Sequence, residues 1–214
     1  MKNITMFTTD AGAAGLVFEE IPYKKEAYIR IHAASAPQVL LDEAVSFCKA
    51  AGAENIYAMG HAILEEYPVH TEIVRMECDK QLLPISSLKI VLAVTNTLQQ
   101  WCDIYNEKMR SVPNAATLYP SKLKKEQLAE NCYFAYEDDK VLGIGRVRKG
   151  MVDAVVSLIP GRGRDVMAAL CGILNDEIVA VEVAVNNAPA ISLYKKMGFV
   201  EKKSISKWYC VFGK

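Results

Sequence analysis

The segment VNNAPAISLYKKMGF, residues 185–199, decides how the chain is interpreted. It follows the β-branched, almost wholly apolar run IVAVEVAV (178–185), which is typical of a strand buried on both faces. Asn187 is a good N-cap, and Pro189 falls in the first turn, where a helix needs no N–H donor. The segment is therefore predicted to form a short helix directly after a buried strand.

This helix is predicted to carry one tyrosine, Tyr194, on its inward face. Gly198 should end the helix in the left-handed conformation, and Phe199 should fold back onto it. Spacing alone makes Tyr194 a core aromatic residue, with a catalytic role as the alternative. Three other residues share its face at helical spacing: Ala190, Leu193 and Met197.

The composition indicates a soluble globular protein without metal. No apolar run approaches the roughly 18 residues of a membrane span, and the N-terminal residues lack the layout of a signal peptide, so a cytoplasmic location is expected. The six cysteines are widely spaced and form no C-x-x-C pair, which argues against disulfides and structural zinc. No metal site is therefore expected.

The charge is unevenly distributed along the chain. Residues 1–87 hold 7 Lys+Arg and 12 Asp+Glu, whereas residues 88–214 hold 18 and 13. The second half suits an anionic ligand better than the first. Its basic residues are scattered and are not interleaved with aromatic residues, so nucleic acid is not expected as a partner.

The pattern of elements predicts an α/β protein with a mixed sheet and two parts, residues 1–87 and 88–214, joined near residues 79–87. Both parts contain a strand, a helix and a strand in the same order, which suggests a degenerate internal duplication. In the first part the helix is predicted to be capped by Ser35. The predicted strands cover 26–34, 54–61, 71–78, 88–95, 132–138, 141–149, 151–159, 178–185 and 204–212; the predicted helices cover 35–52, 96–112, 121–131, 166–175 and the tyrosine segment.

The loop LIPGRGRD (158–165) lies between a predicted strand and a predicted helix. Its two glycines let the backbone approach a ligand closely, and the helix that follows presents free N–H groups to an anion. The two arginines of the loop add positive charge. The loop is interpreted as a phosphate or pyrophosphate site, with an ordinary turn as the alternative; it is not a Walker loop, because no G-K-[ST] follows.

The second half resembles the GNAT superfamily of acyl-CoA-dependent N-acyltransferases. Its hairpin, strand, Gly/Arg loop, helix and buried strand precede the motif N-x-x-A-x-x-L-Y-x-K-x-G-F, which this sequence matches at every position from Asn187 to Phe199. The resemblance covers about residues 88–214. It implies a GNAT-like fold, with the first half a degenerate GNAT-like repeat packed on a C-terminal GNAT domain.

The resemblance also implies the roles of particular residues. In the family the tyrosine of this helix serves as general acid to the departing thiolate, which assigns that role to Tyr194. The pantetheine arm would lie between the strands that end at Ile159 and Val185. The coenzyme site would comprise Val156, Leu158 and Ile159 along the pantetheine, Gly161, Arg162, Gly163 and Arg164 around the pyrophosphate, and Asn187 and Ala190 from the motif.

One position departs from the family pattern. The family loop reads Q/R-x-x-G-x-G/A, and with Gly161 and Gly163 as its glycines the first position is the apolar Leu158; the alternative register brings Asp165 close to the anion. The first half has HAASAPQ where the loop would be, so a single coenzyme site is expected.

The residue that removes the proton from the amine is not evident from the sequence. Asp153 and Glu182 are the candidates, although a structural ion pair or a solvated edge position explains each of them as well. Two histidines of the first half, His61 and His70, flank the segment AILEEYPV, whose paired carboxylates at Glu65 and Glu66 could attract a cationic amine.

The function expected is transfer of an acetyl group from acetyl-CoA, as cosubstrate, to a primary amine of a small molecule or peptide. No nucleic acid or membrane partner is expected, and a homodimer is left open. One alternative is a non-catalytic acyl-CoA-binding regulatory or protein-interaction module with the same fold. A second alternative is a purely structural scaffold.

Overall fold

The computed structural model describes residues 4–213. Its strands are β1 (Thr5–Thr9), β2 (Gly12–Val17), β3 (Glu26–Ala34), β4 (Asn55–Met59), β5 (Val69–Asp79), β6 (Lys89–Leu92), β7 (Cys132–Glu137), β8 (Lys140–Arg148), β9 (Met151–Ser157), β10 (Ile178–Ala184) and β11 (Val200–Phe212). Its helices are α1 (Ile21–Lys24), α2 (Pro37–Ala50), α3 (Leu98–Met109), α4 (Pro120–Lys125), α5 (Gly163–Gly172) and α6 (Ala188–Lys196). Within this range, no helix has the length and apolar character needed to cross a membrane.

The contacts divide the chain into two compact units. Unit 1 comprises Met1–Glu72 and Ser206–Lys214, and unit 2 comprises Ile73–Ile205. These limits differ from the predicted boundary at 87/88. The difference arises because the second half of β5 pairs with β10 in unit 2, whereas the end of β11 pairs with β4 in unit 1.

Unit 1 is a mixed sheet with strand order β1-β2-β3-β4-β11. Strands β3 and β4 are parallel and are connected through α2, which buries Leu40 and Leu41 in the core of this unit. The predicted cap of α2 is wrong, because the residue at the N-cap is Ala36. Ser35 instead bonds the carbonyl oxygens of Asp10 and Ala11.

Unit 2 is a mixed sheet with strand order β5-β10-β9-β8-β7-β6, in which β9 and β10 are parallel and are connected through α5. Helix α5 packs closely on β8, since a Cβ added at Gly145 would lie 2.1 Å from Leu170. The adjacent Ile144 points to the opposite face, as alternation in a strand requires. There it packs with Trp101 of α3 and Leu123 of α4.

The helix predicted over residues 121–131 is shorter in the structure. Helix α4 ends at Lys125, and Gln127 then adopts a left-handed φ of 55° that cannot continue a helix. A single 3-10 turn follows at Ala129–Asn131. The hairpin of β1 and β2 was not predicted at all.

Candidate active site

Strands β9 and β10 separate after a short paired stretch. They pair only at Met151–Ala180 and Val152–Val181 among the described residues, although both strands continue beyond these pairs. On its other side β10 stays paired with β5 over its whole length. The facing edges of β9 and β10 therefore border a gap whose backbone groups have no strand partner, and such groups favour a ligand that can bond to them.

The backbone of β9 determines which groups face this gap. The N–H of Leu158 donates to the carbonyl of Leu142 at 2.8 Å, and Val156 lies opposite Ile144 of β8. Because hydrogen-bonding direction alternates along an antiparallel strand, Val156 and Leu158 direct their backbone groups to β8. The backbone groups directed into the gap belong to the alternate residues of β9, Val155 and Ser157, and coenzyme contacts near Val156 and Leu158 stay a prediction.

The loop after β9 is fixed by local hydrogen bonds. The carbonyl of Ile159 accepts from the N–H of Arg162 at 3.1 Å and from Oγ of Ser157 at 2.8 Å. The side chain of Ile159 packs against the core beneath α5. Gly161 has a φ of 84°, which favours glycine, and apart from its chain neighbours no atom of the described residues lies within 4 Å of a Cβ added there. The backbone at Gly161 is therefore open to a ligand.

The start of α5 presents its free N–H groups beside α6. The first hydrogen bond of the helix runs from the N–H of Val166 to the carbonyl of Arg162, so the N–H groups at Gly163 and Arg164 precede the helical bonding pattern. A Cβ added at Gly163 would lie 3.3 Å from Cδ2 of Leu193, which places the loop next to α6. The two segments singled out in the sequence thus meet at one end of the gap.

Arg162 does not present a free positive charge. Its Nε donates to Asp165 at 2.6 Å, and its Nη1 and Nη2 donate to the two carboxylate oxygens of Glu137 at 3.0 and 2.7 Å. These bonds raise the pKa of Arg162, and the bond from Arg162 lowers the pKa of Glu137. The neighbouring Arg164 is exposed and forms no ion pair with any residue that the structure describes. The cation available to an anion at this loop is therefore Arg164.

Helix α6 has the predicted caps. Oδ1 of Asn187 accepts from the N–H of Ala190 at 3.4 Å, and Gly198 ends the helix with a φ of 94°. The N–H of Phe199 donates to the carbonyl of Tyr194 at 3.0 Å, and the two rings lie 5.7 Å apart between centroids. The return of Phe199 onto the helix, predicted from the sequence, is confirmed.

Tyr194 is buried in the core of unit 2, with 7% of its surface exposed. Burial raises the pKa of its phenol, with a smaller contribution from Cys171. The phenol is therefore protonated at neutral pH, which is the form that can donate a proton. Ala190 of the same helix is partly buried against the same core.

The two candidate bases differ in how strongly they are paired. The side chain of Asp153 is only 6% exposed. Arg148 donates to both of its oxygens, from Nη2 to Oδ1 at 3.0 Å and from Nε to Oδ2. Nε of Arg146 lies 3.5 Å from the same Oδ2. Glu182 is exposed and lies directly beyond the last β9–β10 pair. Within the described part of the chain it has no ion pair within 4 Å, which leaves its carboxylate able to bind an amine.

The histidines and carboxylates of the first half lie in unit 1 and have local structural contacts. Nδ1 of His61 accepts from the N–H of Ile63 at 3.2 Å, at the start of the 3-10 turn that contains Glu65 and Glu66. The ring of His70 stacks on Tyr57 with centroids 3.6 Å apart. The role of this segment at an acceptor site stays a prediction.

Solved structures with a similar fold include proteins described as acetyltransferases. A putative acetyltransferase from Pyrococcus horikoshii superposes with a TM-score of 0.61 at 13% identity, and the match covers 95% of this chain and 70% of the Pyrococcus chain. A GNAT-family acetyltransferase from Colwellia psychrerythraea has a TM-score of 0.53 at 12% identity, with coverages of 96% and 84%. A tandem GNAT protein from the clavulanic acid biosynthesis pathway has a TM-score of 0.55 at 12% identity, with coverages of 94% and 78%.

The chain has the GNAT fold. The predicted α/β class with a mixed sheet is thereby confirmed. No family model matches the chain. An N-alpha-acetyltransferase from Sulfurisphaera tokodaii is 49% identical over 43 residues, which are 20% of this chain and 26% of that protein.

Sequence reasoning missed two features of this candidate site. The pairing of Arg162 with Glu137 joins residues 25 positions apart, and no local pattern indicates it. The position at which β9 leaves β10 depends on strand register, which the uniform apolar runs do not specify. The acidic turn of the β7–β8 hairpin shows in the sequence that a carboxylate is present, but it does not identify Arg162 as the partner.

Proposed function

We propose that this protein transfers an acetyl group from acetyl-CoA to a primary amine of a small molecule or peptide. The observation that carries the proposal is the gap where β9 and β10 separate, with the Gly161 loop at one end and α6 beside it. The described residues fit the coenzyme at the gap edge, at the open backbone of Gly161 and at the start of α5. The similarity over 43 residues to an N-alpha-acetyltransferase supports testing α-amines among the acceptors.

Bound acetyl-CoA supplies the acyl group as a thioester. The exposed carboxylate of Glu182 takes the proton that the attacking amine loses as its nitrogen bonds to the acyl carbon. The phenol of Tyr194 gives a proton to the sulfur as the C–S bond breaks. A phenol kept neutral by burial can serve this step, and a positioned proton donor contributes about 10² to 10⁴ in rate.

Asp153 is not assigned as the base. Two arginine side chains approach its carboxylate, and its burial leaves little room for an amine. The bonds from Arg148 occupy both carboxylate oxygens, so an attacking amine has no free oxygen to approach. Its ion pair with Arg148 instead holds β9 in place at the beginning of the gap.

The proposal is tested by measuring thiol release from acetyl-CoA with a panel of amines, together with acetyl-CoA binding by calorimetry. Tyr194→Phe keeps the buried ring, so it should bind acetyl-CoA almost normally while kcat falls by about 10² or more. Glu182→Gln should lower turnover, because the amide that replaces the carboxylate cannot take the proton of the amine. Tyr119→Phe and Glu177→Gln, which make the same chemical changes at two other residues, both exposed, serve as matched controls.

Unchanged turnover of Tyr194→Phe at saturating substrates would refute its role as the acid. The non-catalytic alternative is favoured by one observation, the pairing of Arg162 with two carboxylates, which weakens the expected anion site. That alternative predicts saturable acetyl-CoA binding without thiol release for any amine. Absence of binding would refute both functions.

A further inference from the structure

The Arg162 side chain is held by two carboxylates of the protein itself at the loop expected to bind pyrophosphate. We infer that Glu137 is an internal competitor, which occupies Arg162 until the coenzyme's pyrophosphate displaces it. The inference rests on the proposed function, because it concerns the affinity of the same coenzyme loop.

The hydrogen-bonding capacity of Arg162 is largely used. A guanidinium has five N–H donors in a fixed planar arrangement. Asp165 takes the donor on Nε, and Glu137 takes one from each Nη through both of its oxygens. Two donors remain, and they no longer form the open fork that binds a phosphate through two parallel bonds. A pyrophosphate that uses this fork must therefore replace Glu137.

The contact with Glu137 is of a kind that can exchange. The side chains of Arg162, Glu137 and Asp165 are 31%, 47% and 48% exposed. Solvent screens such ion pairs, so breaking one costs little. Since Asp165 lies within the first turn of α5, where a carboxylate is favourable, it can retain its bond to Nε while Glu137 leaves.

Glu137 also belongs to an acidic hairpin tip. It is the last residue of β7, and the exposed Asp138 and Asp139 follow it in the turn to β8. Only Glu137 of these three forms an ion pair with Arg162 among the described residues. Removing the charge of Glu137 should therefore free the Nη groups of Arg162, whereas removing the charge of Asp138 or Asp139 should not.

The test compares Glu137→Gln with Asp139→Asn in the full chain. Both variants remove one negative charge from the same hairpin tip, but only the first releases Arg162. Binding of acetyl-CoA and of pantetheine, which lacks the pyrophosphate, is measured by calorimetry at low and high salt. Glu137→Gln should bind acetyl-CoA about two- to tenfold more tightly at low salt, as expected for loss of one competing exposed ion pair. Its affinity should also fall more steeply with salt, because one more protein cation is then free.

The outcomes separate this inference from the proposed function. Equal tightening in both variants would overturn the inference, because a general field of the hairpin would explain it. Weaker or unchanged binding by Glu137→Gln would also overturn it, as would equal tightening for pantetheine. If the wild type and both variants bind acetyl-CoA alike, the proposed function stands and the competition fails. If none of them binds acetyl-CoA, the proposed function fails and the inference with it.

Discussion

Replacing Gly198 by alanine isolates the energy of the cap that ends α6. Gly198 has a φ of 94°, where a side chain is strained, but among residues 4–213 a Cβ added there would meet only Sγ of Cys78, at an ordinary 3.5 Å. The cost should therefore be backbone strain without a clash, about 1–2 kcal/mol. Gly198→Asn should cost less, because asparagine tolerates left-handed conformations better than alanine.

The free energy of unfolding is measured by urea denaturation followed by circular dichroism. With a denaturant slope of about 2 kcal/mol/M, the alanine variant should unfold at a urea concentration about 0.5–1 M lower than the wild type. Since the N–H of Phe199 reaches the carbonyl of Tyr194 across this cap, the same variant should lose part of its turnover. An alanine variant as stable as the wild type, or one no less stable than the asparagine variant, would refute the strain argument.

Two further predictions concern packing and pH. Gly145→Val should destabilise the fold by about 1–3 kcal/mol or more, since even a Cβ would lie 2.1 Å from Leu170. Gly172→Ala should stabilise the fold by about 0.5–1 kcal/mol, because a Cβ at this position of α5 would meet no neighbouring atom of the described residues within 4 Å. Thermal unfolding of both variants checks these two expectations. Burial raises the pKa of three thiols from 9.0 to about 12, so these thiols lose their protons at a lower pH in the unfolded chain than in the folded one. Stability should therefore fall as the pH rises from 9 towards 12, which is measured as Tm against pH. A Tm that stays constant over this range would contradict the prediction. The thiols belong to Cys48, Cys132 and Cys171.

Local chemistry made the tyrosine helix predictable from the sequence. An N-cap at Asn187, a proline in the first turn and a glycine at the end are each short-range signals, and the structure confirms them. The buried strand before it and the parallel strand–helix–strand order in both units follow from apolar runs and their spacing. These features depend on residues within a few positions of one another, so a single sequence contains the information.

Long-range contacts were not predictable in the same way. The sequence indicated that Arg162 adds charge to the loop, but the partner that neutralises it lies on another strand. Ser35 satisfies the local preference for a cap and nevertheless bonds the chain near Ala11 instead. In both cases a tertiary contact competes successfully with a local preference, and the competing group is distant in sequence.

The gap in unit 2 depends on where a bulge falls relative to the strand ends. Asp153 is the extra residue of a bulge in β9, between the pairs Val147–Val152 and Arg146–Ala154, and it directly follows the last pair with β10. A bulge bends its strand, so it accounts for the divergence of β9 from β10. Because β9 and β10 both continue past this point, the gap has a wall on each side.

Unit 1 also has a bulge next to its parallel strand pair, but no gap opens between the two strands. Its parallel strands pair over five positions, from Glu26–Asn55 to Arg30–Met59, and β3 is bulged shortly afterwards at His32. However, β4 ends at Met59, where Gly60 turns the chain with a φ of 103°. No second wall extends beyond the bulge, and β3 and β4 stay closed over the full length of β4. The bulge therefore leaves an open gap only where the second strand extends past it, which restricts the proposed chemistry to the pair β9 and β10.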